Sequence, residues 1–144
     1  MQNSNIQLNM HITQGYDVSK TSYEVGASFF KKNEQFFLLF DEENYDDHEI
    51  TKCRFEIDKN TLRMRRNGPI IMEQTHVAGQ TTDGYIKTPF GHISTKLATS
   101  SFLFTEAENG HYRLALNYDL YTGGEKTGTY ALEIMITPKE AIVS

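Results

Sequence analysis

The chain has 144 residues, of which 38% are hydrophobic and 12% aromatic, close to one domain at about 150 residues per domain. That apolar content can bury a core and excludes a disordered chain. A balance of 14 Lys and Arg against 19 Asp and Glu gives a formal charge of −5, which speaks against a general nucleic-acid binder, because phosphate neutralisation needs clustered positive charge. The single cysteine, Cys53, excludes an internal disulfide and a multi-cysteine zinc site.

Alternation with period two runs along the chain. Met1 to Asn5 is polar and no apolar leader follows it, so a cytoplasmic location is expected. Ile6, Leu8, Met10 and Ile12 alternate with polar residues, as do Tyr23, Val25, Ala27 and Phe29. The aromatic run Phe36 to Phe40 is far too short to span a bilayer, and no membrane is expected as a partner. Asp41 to Glu49 reads as a solvated acidic loop, since it lacks the glycine and the ligand spacing of a calcium loop. Thr51, Cys53, Phe55 and Ile57 share one face. Asp58-Lys59-Asn60 turns the chain into Leu62, Met64 and Arg66, and Asn67-Gly68-Pro69 turns it again, with Gly68 expected to supply positive φ.

Ile70 to Val77 reads as a strand, Gly84 to Thr88 as a short one, and Ile93, Thr95, Leu97 and Thr99 as the next. Thr99 to Glu108 is ambiguous and can hold a helical turn. Asn109-Gly110 is a strong hairpin signal before Tyr112, Leu114, Leu116, Tyr118 and Leu120. Gly123-Gly124 leads into Tyr130, Leu132, Ile134 and Ile136. About ten short strands at this spacing predict an all-β meander. Closing it into one antiparallel barrel of about 8–10 strands over residues 1–144 removes its open edges.

The ordered set Arg66-Asn67-Gly68, Met72, Gln74, Val77, Gly79, Thr88, Phe90-Gly91, Thr95 and Tyr118-Asp119-Leu120 resembles the YwiB-like family of small bacterial proteins. The resemblance covers Tyr23 to Ile136. It implies a calycin-like barrel, related in architecture to lipocalins and fatty-acid-binding proteins, and brings no ligand, cofactor or catalytic residue. Ile86, with Tyr85 adjacent, stands where the family tends to carry tyrosine, and the chain has no tryptophan for the Gly-x-Trp start of true lipocalins.

Parity places Arg66 inward at the end of its strand, and Gln74, His76, Thr88, Thr95 and Tyr118 can face the same interior. These six residues are the candidate ligand site, either as a self-satisfied network or as half of an anion site whose partner is a ligand carboxylate. The function expected is binding of a small anionic or amphipathic molecule in the barrel. The alternative is a structural or interaction protein whose barrel is filled by its own side chains. The five histidines lack metal-ligand spacing, and no metal or cofactor is expected. Cys53 reads as an inert core thiol. No nucleophile elbow or phosphate loop appears, so an enzyme is not expected. The basic residues Lys52, Arg54, Lys59, Arg63, Arg65 and Arg66 fall within two neighbouring strands and can place a basic stripe on the outer face, but without interleaved exposed aromatics no nucleic-acid platform is expected. A homodimer is the expected assembly on frequency alone.

Overall fold

The computed structural model describes residues 3–44 and 46–139. Met1, Gln2, Tyr45 and residues 140–144 lie outside it, and with them part of the expected polar start and one position of the acidic loop. Ten strands follow one another: β1 Ser4–Gln14, β2 Asp17–Lys32, β3 Gln35–Glu43, β4 Ile50–Ile57, β5 Thr61–Asn67, β6 Ile71–Val77, β7 Thr81–Thr88, β8 Gly91–Glu106, β9 Tyr112–Thr122 and β10 Glu125–Pro138. Each pairs antiparallel with its sequence neighbours, and β1 closes on β10, giving the closed barrel that the alternation predicts. The connections β1–β2, β3–β4, β5–β6, β7–β8 and β9–β10 form the upper rim, and the others form the lower rim.

Because successive side chains on a strand point to opposite faces, the register sorts the chain into wall and core. One interior row runs Phe36–Ile57–Leu62–His76, the next Leu38–Phe55–Met64–Gln74, and the next Phe40–Cys53–Arg66–Met72–Ile86. The middle of the barrel is packed solid: Leu38, Phe55, Leu62, Leu97, Leu114, Leu116 and Ile134 have no exposed surface. Phe29, Phe36, Phe104 and Tyr112 close the lower end, with Phe29 stacked on Phe36 at 5.5 Å and Phe104 on Tyr112 at 5.3 Å. Aromatic contacts at these separations add to plain area burial.

Three expectations change. β8 is one strand through Thr99 to Glu106, not a strand followed by a helical turn; only Glu108–Gly110 is a 3₁₀ turn. The reason is a bulge between Thr99 and Ser101, where one extra residue moves the inward set from Thr95, Leu97 and Thr99 to Phe102 and Phe104. β3 extends to Glu43, so Asp41, Glu42 and Glu43 belong to a strand rather than to the acidic loop. Gly68 is also required for a different reason: its φ is not positive. A Cβ there would lie 2.5 Å from Thr51 Oγ1, so glycine lets the β5–β6 connection approach β4.

Candidate binding site at the upper rim

The upper half of the interior carries polar groups among apolar ones. Arg66 lies one residue before the end of β5, beside Cys53 of β4, and its Nη1 donates to Oε1 of Glu42, one alternation above Phe40 on β3. From the neighbouring strand β2, the Tyr23 hydroxyl donates to the other oxygen of the same carboxylate, Oε2. Cys53 Sγ lies 3.2 Å from Glu42 Oε1 and 3.4 Å from Arg66 Nη1. Arg66 and Glu42 keep 17% and 26% of their side-chain exposure, so the pair sits just beneath the mouth. Half-buried Met10, Ile12, Met72, Ile86 and Tyr130 lie on the same interior face of their strands.

Burial sets the electrostatics of this cluster. It pushes the Tyr23 hydroxyl up to about 12, partly opposed by the Arg66 charge. It also pushes the Cys53 thiol up to about 12, helped by Asp41, so the thiol stays protonated and unreactive at neutral pH. The Arg66 guanidinium is lowered by burial, and Tyr23 and Tyr118 act against that. A guanidinium remains protonated in such surroundings, and the direct contact with Glu42 supplies its counter-charge.

Below the pair lies a second network. His76 Nδ1 is 2.8 Å from Thr99 Oγ1, and His76 Nε2 is 3.0 Å from Gln74 Oε1. The amide oxygen can only accept, so Nε2 carries the proton and the Thr99 hydroxyl donates to Nδ1. Gln74 Nε2 is left to donate, and it meets Met72 Sδ at 3.4 Å. Tyr118 stacks on Tyr130 at 4.9 Å and packs on the His76 ring at 4.4 Å. Burial raises the Tyr118 hydroxyl above its ordinary value, a shift that hydrogen bonding from Gln74 and the charge of Arg66 reduce. Burial pushes His76 down to about 4, so it is neutral at physiological pH.

Of the six residues expected from the sequence, Arg66, Gln74, His76, Thr95 and Tyr118 face the interior. Thr95 Oγ1 is buried without a hydrogen-bond partner among the described residues. Thr88 does not join them. It sits at the β7–β8 turn, where its hydroxyl accepts from the Phe90 backbone N–H at 3.1 Å and donates to the Gly91 carbonyl at 3.3 Å. Ile70, expected to begin the strand that runs to Val77, precedes β6 and is half exposed. Glu42, Tyr23 and Cys53 are the site residues that sequence reasoning missed. Extending the alternation of Phe36, Leu38 and Phe40 by one step finds Glu42. Among the described residues no three His, Cys, Asp or Glu side chains come together as metal ligands.

The outer wall differs from its expectation in one respect. One exposed aromatic, Phe30, stacks on the half-buried Phe37 at 5.3 Å, and the Arg54 guanidinium lies 5.5 Å from the Phe37 ring centre. The arginines are nevertheless partnered, Arg54 and Arg63 with Glu56 and Arg63 and Arg65 with Glu73, so the stripe carries much less free charge than its sequence suggests. A groove of about 420 Å³ crosses this wall, lined by Ser28, Leu39, Asp41, Lys52, Arg54 and Arg65 among others.

The fold and the site thus define a closed ten-strand antiparallel barrel with an apolar, plugged lower half and a polar mouth. The family model described as "Domain of unknown function (DUF1934)" matches residues 6–134, and the chain belongs to that family. It is 22% identical over 108 residues to the Uncharacterized beta-barrel protein YwiB of Bacillus subtilis (strain 168), covering 74% of this chain and 72% of that protein. The crystal structure of ywiB protein from Bacillus subtilis superposes with a TM-score of 0.83 at 19% identity, covering 96% of this chain and 93% of that one. The resemblance to the YwiB-like family and the closed all-β barrel expected from the sequence are therefore borne out. No helix among the described residues is long and apolar enough to cross a membrane.

Proposed function

We propose that the barrel binds a small amphipathic molecule at its upper mouth, with the molecule's polar head on Arg66, Glu42 and Tyr23 and its apolar part along Met10, Ile12, Met72 and Ile86. The observation that carries this reading is the composition of the upper interior. A barrel that served only as a scaffold gains little stability from an inward ion pair, because apolar side chains of similar volume are often as stabilising or more so. Here an Arg–Glu pair, two tyrosines, an amide and an unpaired threonine hydroxyl occupy positions that apolar residues fill in the lower half.

The same geometry refines the ligand. Arg66 already has a carboxylate, so a simple anion must displace Glu42 to reach it. A head group that accepts from Arg66 and also donates to Glu42, such as an alcohol or an amide, meets both partners without that displacement. The solid middle of the barrel restricts the molecule to the mouth. It also supports the second reading, a structural barrel filled by its own side chains.

Thermal unfolding separates the two. Wild type and Arg66→Met are melted with fatty acids, fatty amides, monoacylglycerols and short carboxylates. Binding predicts that a neutral-headed amphiphile raises the melting temperature of wild type and leaves Arg66→Met unmoved, since only the folded, liganded state gains. A wild-type melting temperature that no compound raises contradicts binding at the mouth and leaves the structural reading.

A further inference from the structure

We infer that the chain pairs with a second copy of itself through the outer edge of β2, in one antiparallel register centred on Ser22. β2 is paired to β1 along its whole length from Asp17 to Ala27, but its ladder to β3 covers only Ser28–Lys32 against Leu39–Gln35. From Asp17 to Ala27 the other edge of β2 has no ladder partner among the described residues. An edge of that length presents a row of unpaired backbone N–H and C=O groups, which another strand can complete.

The side chains on this edge choose the partner. Lys20, Ser22 and Glu24 share the outward face of β2, where they lie opposite His11, Asn9 and Gln7 of β1. Lys20 and Glu24 are exposed, and neither has an ion-pair partner among the described residues. In a two-fold antiparallel pair, residue i faces residue j with i + j constant, and outward residues must face outward residues. Centring on Ser22 sets Lys20 of each copy against Glu24 of the other and places the two Ser22 residues on the axis. Centring on Lys20 or Glu24 sets like charges face to face, which is destabilising. Centring on Thr21 or Tyr23 forms no charge pair. Self-complementarity of this kind specifies a copy of the same chain rather than an unrelated strand. Val18, 59% exposed, then faces Gly26 and gains cover at each end of the pairing.

Sedimentation equilibrium of the full chain tests the pairing. Wild type is expected to dimerise, and Lys20→Glu or Glu24→Lys alone to raise the dimer dissociation constant about tenfold or more by setting like charges opposite each other. The double variant Lys20→Glu with Glu24→Lys restores the pairs and the wild-type dissociation constant. All three variants change only surface residues, so the melting temperature checks that folding is intact. Oxidised Ser22→Cys should form a covalent dimer, because paired residues on the axis lie about 4.5–5.5 Å apart at Cα. Lys20→Cys should not, because four residue rises of about 3.3 Å separate the two copies of that position along the strands. A monomeric wild type, a dimer insensitive to the single reversals, or a double variant that fails to recover overturns the inference.

Discussion

Glu42 and Arg66 lie on β3 and β5 with Cys53 of β4 between them, so the pair forms only when three strands are in register. Removing one member leaves the other as a charge with few remaining partners below the rim. Glu42→Gln is therefore expected to cost about 2 kcal/mol, below the range for fully buried pairs because both side chains retain some water. Arg66→Met should cost a similar amount, and the double variant less than the sum by at least about 1 kcal/mol. Denaturant unfolding of the four proteins measures that coupling; additive losses would mean that the two side chains do not interact. His76 carries a pH prediction. In the unfolded chain its imidazole takes a proton near pH 6.5, in the folded chain only near 4. Between those values the unfolded state gains the proton, so stability falls as pH drops through that window and its loss levels off below 4. By pH 4.5 the loss from this one group is about 2 kcal/mol relative to pH 7. Denaturation of His76→Gln at both pH values should show that much less acid sensitivity than wild type.

At the scale of the strand, parity governs what a substitution does. Leu116 has no exposed surface while its neighbour Asn117 faces outward. Leu116→Asp should cost several kcal/mol, the order expected for an unpartnered buried carboxylate, and Asn117→Asp close to none. Equal melting temperatures for the two variants would put β9 one residue out of register. Gly84 has a different task. A Cβ on it would lie 2.6 Å from the Glu73 carbonyl of β6 and 2.9 Å from Thr95 Oγ1 of β8. Gly84→Ala must push backbone apart and should cost about 1–3 kcal/mol in thermal unfolding. These examples show which parts of the structure could be read in the sequence. Period two located the strands and the inward set, because one face of every strand is buried against a single core. It failed at β8, where the bulge shifts the phase by one residue. It also failed at Glu42, where three consecutive acidic residues read as one solvated block although the middle one points inward. Gly68 and Gly84 are set by close approaches to residues on neighbouring strands, eleven or more positions away in the chain, which no local pattern reports.

For the molecule as a whole, closure leaves an interior whose two ends differ. The lower end is stopped by Phe29, Phe36, Phe104 and Tyr112, and the middle is filled. The upper end holds the Arg66–Glu42–Tyr23 cluster beneath a half-buried rim. The methionines sample these regions: Met10 and Met72 line the mouth, Met64 is buried below it, and Met135 alternates with inward Ile134 and Ile136 on the outer wall. Methyl resonances of methionine-labelled protein, followed during titration with a neutral-headed amphiphile, therefore test binding at the mouth most directly. Binding there predicts saturable shifts of Met10 and Met72, with Met64 and Met135 unmoved, and the loss of those shifts in Arg66→Met. Shifts confined to Met135, or no saturable shift of Met10 and Met72 for any amphiphile that raises the melting temperature, would contradict it.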